Sequence, residues 1–122
     1  MAKPLIISLS NELIRVIPER IVYISSDGNY STMVLHDKAK QLFSFNLSHF
    51  QKIIESQLKA DATMFIRLGK SAIINREYIY KINISKQQVV LSDMNLNESF
   101  VITASKEALK QLKNLLEREI NK

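Results

Sequence analysis

The stretch MFIRLGKSAIINREYIY, residues 64–80, reads as two buried strands with a polar break between them. Met64, Phe65 and Ile66 open an apolar run and Ala72, Ile73 and Ile74 resume it. Arg67, Gly69, Lys70, Ser71, Asn75 and Arg76 interrupt that run with a surface rich in hydrogen-bond donors. So many donors on the join between two core segments raise the question of what accepts from them.

The segments on either side of this join carry the signals of further strands. Leu5, Ile7 and Leu9 alternate with Ile6 and Ser8, and SNE at 10–12 suits a hairpin turn before Leu13 and Val16. Pro18 predicts a short turn ahead of a strand at Ile21–Ile24. SSDGNYS is turn chemistry, with Asp27-Gly28 able to take positive φ and Asn29 tolerant of it. YSTMVLH and QLFSF then bracket DKAK as two more strands of a meander. From Asn46, a plausible N-cap, the period changes to 3.6: Leu47, Phe50, Ile54 and Leu58 mark one buried helix face, ending near Ala60-Asp61. Beyond the central stretch, YIYKINIS predicts a strand with Tyr78, Tyr80, Ile82 and Ile84 on one face. QVVLS and FVITA follow, separated by a turn around SDMNLNE. A last helix begins at Ser105 and buries Leu109, Leu112 and Leu116. No linker or repeat divides the chain, so the expectation is a mainly β single domain with two helices over residues 1–122.

Composition removes several function classes. With 122 residues, 46% of them apolar and 24% charged, the chain is long enough to bury a core without staples. It has no cysteine, so neither disulfides nor thiolate metal sites, and its two histidines, His36 and His49, fall on different elements. No metal or cofactor is expected. Seventeen Lys and Arg against twelve Asp and Glu give net +5, which favours a polyanionic partner. No apolar run approaches the roughly 20 residues of a membrane span. MAKPLIISLSNE is too short and polar for a signal peptide, so the expected location is cytoplasmic.

Candidate catalytic groups are sparse. The GKS at 69–71 would need a glycine at position 64 to form a phosphate-binding loop, and Met64 stands there. Glu117 and Glu119 lie among lysines, Glu77 adjoins Arg76, and all three read as solvated. Ser71 and Ser105 have no neighbouring histidine, so no enzyme is expected. Lys106, Lys110 and Lys113 recur at helical spacing. They form either a solvated face with Lys113 paired to Glu117, or a phosphate-contacting stripe beside the N-terminal amides of the helix.

RIVYISSDGNYSTMVL, LSHFQKIIESQL, MFIRLGKSAIINREYIYKI and FVITASKEALKQL together resemble the LytTR DNA-binding domain, the output module of many bacterial response regulators. The likeness covers about residues 5–116. Its most specific part is an aromatic followed by Arg-x-x-x-Ser-x-Ile-x-Asn, met by Phe65, Arg67, Ser71, Ile73 and Asn75. Asn29-Tyr30 and Ser105 are supporting matches.

The resemblance implies antiparallel strands in small packed sheets, and a transcriptional regulator of a two-component system. Such a regulator reads repeated half-sites of promoter DNA, with a second copy of itself on the duplex, through loops and strand ends. Tyr30, Lys70 and Lys106 become candidate base contacts. Asn29, Arg67, Ser71, Arg76, Ser105 and Lys110 become candidate backbone contacts, because phosphates take most of the donors on such a surface. The family often has arginine where Lys106 stands, and lysine lacks the bidentate fork. Gly69 is expected to permit close approach of the duplex. Asn75 also fits a turn cap, and Arg67 a partly buried structural arginine. The 122 residues leave no room for a phospho-receiver domain, which implies either a stand-alone regulator or an output domain. The rival expectation is a protein-interaction module using Tyr78, Tyr80 or the helix faces.

Overall fold

A computed structural model describes residues 3–92 and 99–120, so the turn expected around SDMNLNE lies, beyond Ser92, outside the described residues. In chain order the strands are β1 (Leu5–Ser8), β2 (Leu13–Val16), β3 (Ile21–Asp27), β4 (Tyr30–Leu35) and β5 (Lys40–Phe43). Helix α1 (Leu47–Leu58) follows, then β6 (Phe65–Leu68), β7 (Ala72–Asn75), β8 (Ile79–Asn83), β9 (Gln88–Ser92), β10 (Ser99–Thr103) and helix α2 (Lys106–Ile120). Among the described residues these ten strands form three antiparallel sheets: β1-β2, β5-β4-β3-β7-β6 and β10-β9-β8. No described helix is long and apolar enough to cross a membrane.

The five-stranded sheet is the middle layer. On β7, Ile73 joins the core shared with the β1-β2 hairpin and α1, while Ala72 and Ile74 join the core shared with the three-stranded sheet and α2. Burial on both faces explains why β7 reads as a continuous apolar run rather than an alternating one. Met33 and Val34 divide in the same way on β4. Each fully buried side chain of this size contributes roughly 1.5–3 kcal/mol.

Local signals set the helix ends. The Asn46 side chain accepts from the His49 amide at 2.9 Å, and α1 buries Leu47, Phe50, Ile54 and Leu58 as the period requires. It stops at Leu58, because Lys59 takes φ 53 and the chain continues as a 3₁₀ turn over Lys59–Met64, slightly short of the expected Ala60-Asp61 end. Ser105 caps α2 through its hydroxyl, which accepts from the Ala108 amide at 3.1 Å.

One expected face is corrected at a single residue. Tyr78, buried in a 3₁₀ turn, and the partly buried Ile82 and Ile84 belong to the same core, but Tyr80 is 73% exposed. Ile79 pairs with Leu91 and Lys81 with Val90, so Tyr80 is the extra residue of a β-bulge and the alternation breaks there.

A candidate nucleic-acid interface at one end of the central sheet

Antiparallel pairing brings two turns of the chain to one end of the five-stranded sheet, and the start of α2 packs beside them. β3 and β4 close through Gly28 and Asn29, with Asp27 opposite Tyr30. Gly28 takes φ +63 and Asn29 does not take positive φ, the pattern of a two-residue turn with glycine at its first central position. At its base the buried Ser31 hydroxyl donates to the Phe45 carbonyl at 2.7 Å, tying this turn to the entry of α1. β6 and β7 close at the same end through Gly69, Lys70 and Ser71, since Ser25 of β3 is paired with Ala72 of β7. The two turns are joined directly: the Ser26 amide donates to the Ser71 carbonyl at 3.0 Å. β4 and β7 are both neighbours of β3, so the strands that carry Tyr30 and Ser71 run about 10 Å apart.

The third segment is the start of α2. Gly69 takes φ +55, and a β-carbon there would lie 3.3 Å from the Ala108 β-carbon. Glycine at this position therefore serves the approach of the helix as well as the turn, a purpose the sequence did not reveal. The contact sets the capped N-terminus of α2, with Ser105 and Lys106, beside the Lys70 turn.

The nine residues singled out from sequence divide by what their side chains touch. Asn29, Tyr30, Lys70, Ser105, Lys106 and Lys110 are exposed, Tyr30 at 49%. Among the described residues the ammonium groups of Lys70, Lys106 and Lys110 have no hydrogen-bond or ion-pair partner. Ser105 spends its hydroxyl on the helix cap, and Ser71 is half-buried with its backbone tied to Ser26. Lys113 of the same basic stripe bonds Glu117 at 2.9 Å.

Arg67 is committed to the protein: its Nε donates to the Gly69 carbonyl at 2.7 Å and a terminal nitrogen to Gln51 Oε1 at 2.8 Å. Arg76 is set apart from the other eight. It follows β7 at the end opposite Lys70, donates to the Thr63 carbonyl at 2.9 Å and pairs with Glu119 near the C-terminal end of α2. Asn75 is structural: fully buried, it donates to the Ile21 carbonyl and accepts from the Glu77 amide, each at 2.9 Å. Gln51 was not anticipated, because a half-buried glutamine on a helix carries no signal distinguishing it from a solvated one.

The end surface is a set of directed donors rather than a uniform basic plate, since Asp27 and Glu107 lie in the same segments. Its chemistry is that of exposed cations, a phenol, amides and a helix N-terminus, all suited to phosphate oxygens and base edges. Among the described residues no group of His, Asp and Glu could hold a metal ion.

Comparison with known proteins identifies the family. The family model described as the LytTr DNA-binding domain matches residues 11–117. No curated protein gives a significant match. Among solved structures, a Bacillus cereus domain described as the LytTr DNA-binding domain of a methyl-accepting/DNA response regulator is similar in fold. It has a TM-score of 0.61 at 18% identity, over 93% of this chain and 95% of that one. With the family model spanning 11–117, the chain belongs to the LytTR family of DNA-binding domains.

Proposed function

We propose that the protein is a sequence-specific regulator of transcription that binds duplex DNA through the end surface formed by the Gly28-Asn29-Tyr30, Gly69-Lys70-Ser71 and Ser105-Lys106 segments. Tyr30, Lys70 and Lys106 reach base edges. Asn29, Ser71, Ser105 and Lys110 lie along the phosphates, and two copies occupy repeated half-sites. The observation that carries this reading is the convergence of two turns and a helix N-terminus, distant in sequence, on one end, with lysines that no described residue neutralises. An ammonium group without an internal partner keeps its full charge for a phosphate, and its release of condensed counterions drives association.

Fluorescence anisotropy with a duplex selected from a random pool, at two salt concentrations, tests the reading. Each phosphate neutralised adds about 0.9 to the slope of log affinity against log salt, so a slope of a few units is expected. Absence of binding at low salt overturns it and transfers attention to the exposed Tyr80 as a protein-docking residue.

A further inference from the structure

We infer that Arg67 is a positioning residue: through Gln51 of α1 it clamps the Gly69-Lys70 turn in the orientation that presents Lys70, and it is not itself a phosphate contact. The inference rests on the reading of Lys70 as a DNA contact and names what aims it.

The turn has little to hold it from within. Its own backbone bond runs from the Ser71 amide to the Leu68 carbonyl at 3.1 Å, leaving the Gly69-Lys70 peptide outside that bond. Glycine at φ +55 has no β-carbon to resist rotation of the peptide that follows it. Rotation there would swing the Lys70 Cα–Cβ direction away from its present course. Arg67 removes that freedom, because its Nε donates to the Gly69 carbonyl at 2.7 Å, so the carbonyl that would have to move is the one that is held. The guanidinium is in turn fixed at its far side, where a terminal nitrogen donates to Gln51 Oε1 at 2.8 Å. A planar fork that bridges two acceptors in different directions cannot be replaced by a single ammonium. Ala108 packs against Gly69 from α2, so the turn is gripped from both helices. Turning Arg67 toward a phosphate would break both bonds and release the turn it serves.

The test uses Gln51→Ala and Arg67→Lys. Gln51 sits on the helix face toward Arg67, outside the three end segments, and alanine is a good helix former, so this variant folds. In the protein without DNA, both variants are expected to raise hydrogen exchange of the Lys70 amide by about tenfold, with core amides unchanged. With the selected duplex, both should lose about fivefold of the preference at the base pairs that Lys70→Ala flattens, and Gln51→Ala should cost nothing further on a Lys70→Ala background. The salt slope of Gln51→Ala stays that of the parent. The inference is overturned if Gln51→Ala leaves exchange and preference untouched while Arg67→Lys binds like the parent and Arg67→Gln lowers the slope by about one, the signature of a phosphate contact. A parent protein that binds no duplex removes the DNA reading and the role of Lys70. The exchange measurement then still decides whether the clamp holds the turn.

Discussion

The two ends of the five-stranded sheet use the same kinds of residue to opposite purposes. At the far end four polar side chains are held internally. Arg20 bonds His36 at 3.2 Å and approaches Asp37 at 3.7 Å, Arg76 bonds Thr63 and Glu119, Asn75 bridges Ile21 and Glu77, and the Tyr78 hydroxyl donates to Glu19 at 2.6 Å. At the near end Tyr30, Lys70 and Lys106 project with their polar atoms unclaimed by described residues. A polar group that holds a fold together is recognised by its internal partner. The far end therefore carries stability, and under the proposed function the near end carries recognition.

Substitutions at the two ends should therefore separate stability from affinity, beginning with the largest effect. Asn75→Ala strips the buried Ile21 carbonyl and the part-buried Glu77 amide of their partner and is expected to cost about 2–4 kcal/mol in denaturant unfolding, with the surviving folded protein binding DNA as before. Lys70→Ala should do the reverse: about 1–3 kcal/mol less preference at particular base pairs in competition titrations, with unfolding free energy within about 0.5 kcal/mol of the parent. Tyr30→Ala should weaken the selected duplex by about 1–2 kcal/mol while the melting midpoint moves by only a few degrees. A fall in midpoint matching the roughly 3–5 kcal/mol of a truncated core aromatic would move Tyr30 to the structural side of the comparison.

Smaller effects sharpen the contrast. Arg76→Ala should lose about 1 kcal/mol of stability and leave the salt slope alone, whereas Lys110→Ala should lower that slope by about one and leave stability alone. Asp37 gives a far-end effect in pH. The Ala39 amide donating to its carboxylate at 3.0 Å holds its pKa below the usual aspartate range, with His36 and Arg20 contributing less. A carboxylate with a lowered folded pKa stabilises the protein above its ordinary pKa, and that contribution fades as pH falls through the lowered value. Asp37→Asn should slightly flatten the acid limb of a melting-midpoint profile, without changing DNA affinity at neutral pH.

Much of this organisation was legible in the sequence where the cause is local. The N-cap at Asn46, the helix start at Ser105, the α1 stripe from Leu47 to Leu58 and the turn around Gly28 each depend on residues a few positions apart, and the structure contains them. Features set by partners distant in the chain were hidden. Arg76 stands six residues from Lys70, but β7 carries it to the opposite end, where its acceptors Thr63 and Glu119 lie 13 and 43 residues away in sequence. The purpose of Gly69 depends on Ala108 of the last helix, and that of Arg67 on Gln51 of the first. Tyr80 was misplaced because it is the extra residue of a bulge in β8, and a register shift leaves no mark on an alternating pattern.

The most direct test of the division between the two ends is a titration of the isotope-labelled protein with the selected duplex, followed through its backbone amide resonances. The account predicts that the largest shifts fall at Gly28–Tyr30, Gly69–Ser71 and Ser105–Lys106, while Arg20, His36, Arg76 and Glu77 stay still. Shifts concentrated at the far end, or on the face that carries Tyr80, with the three near-end segments unmoved, would contradict it.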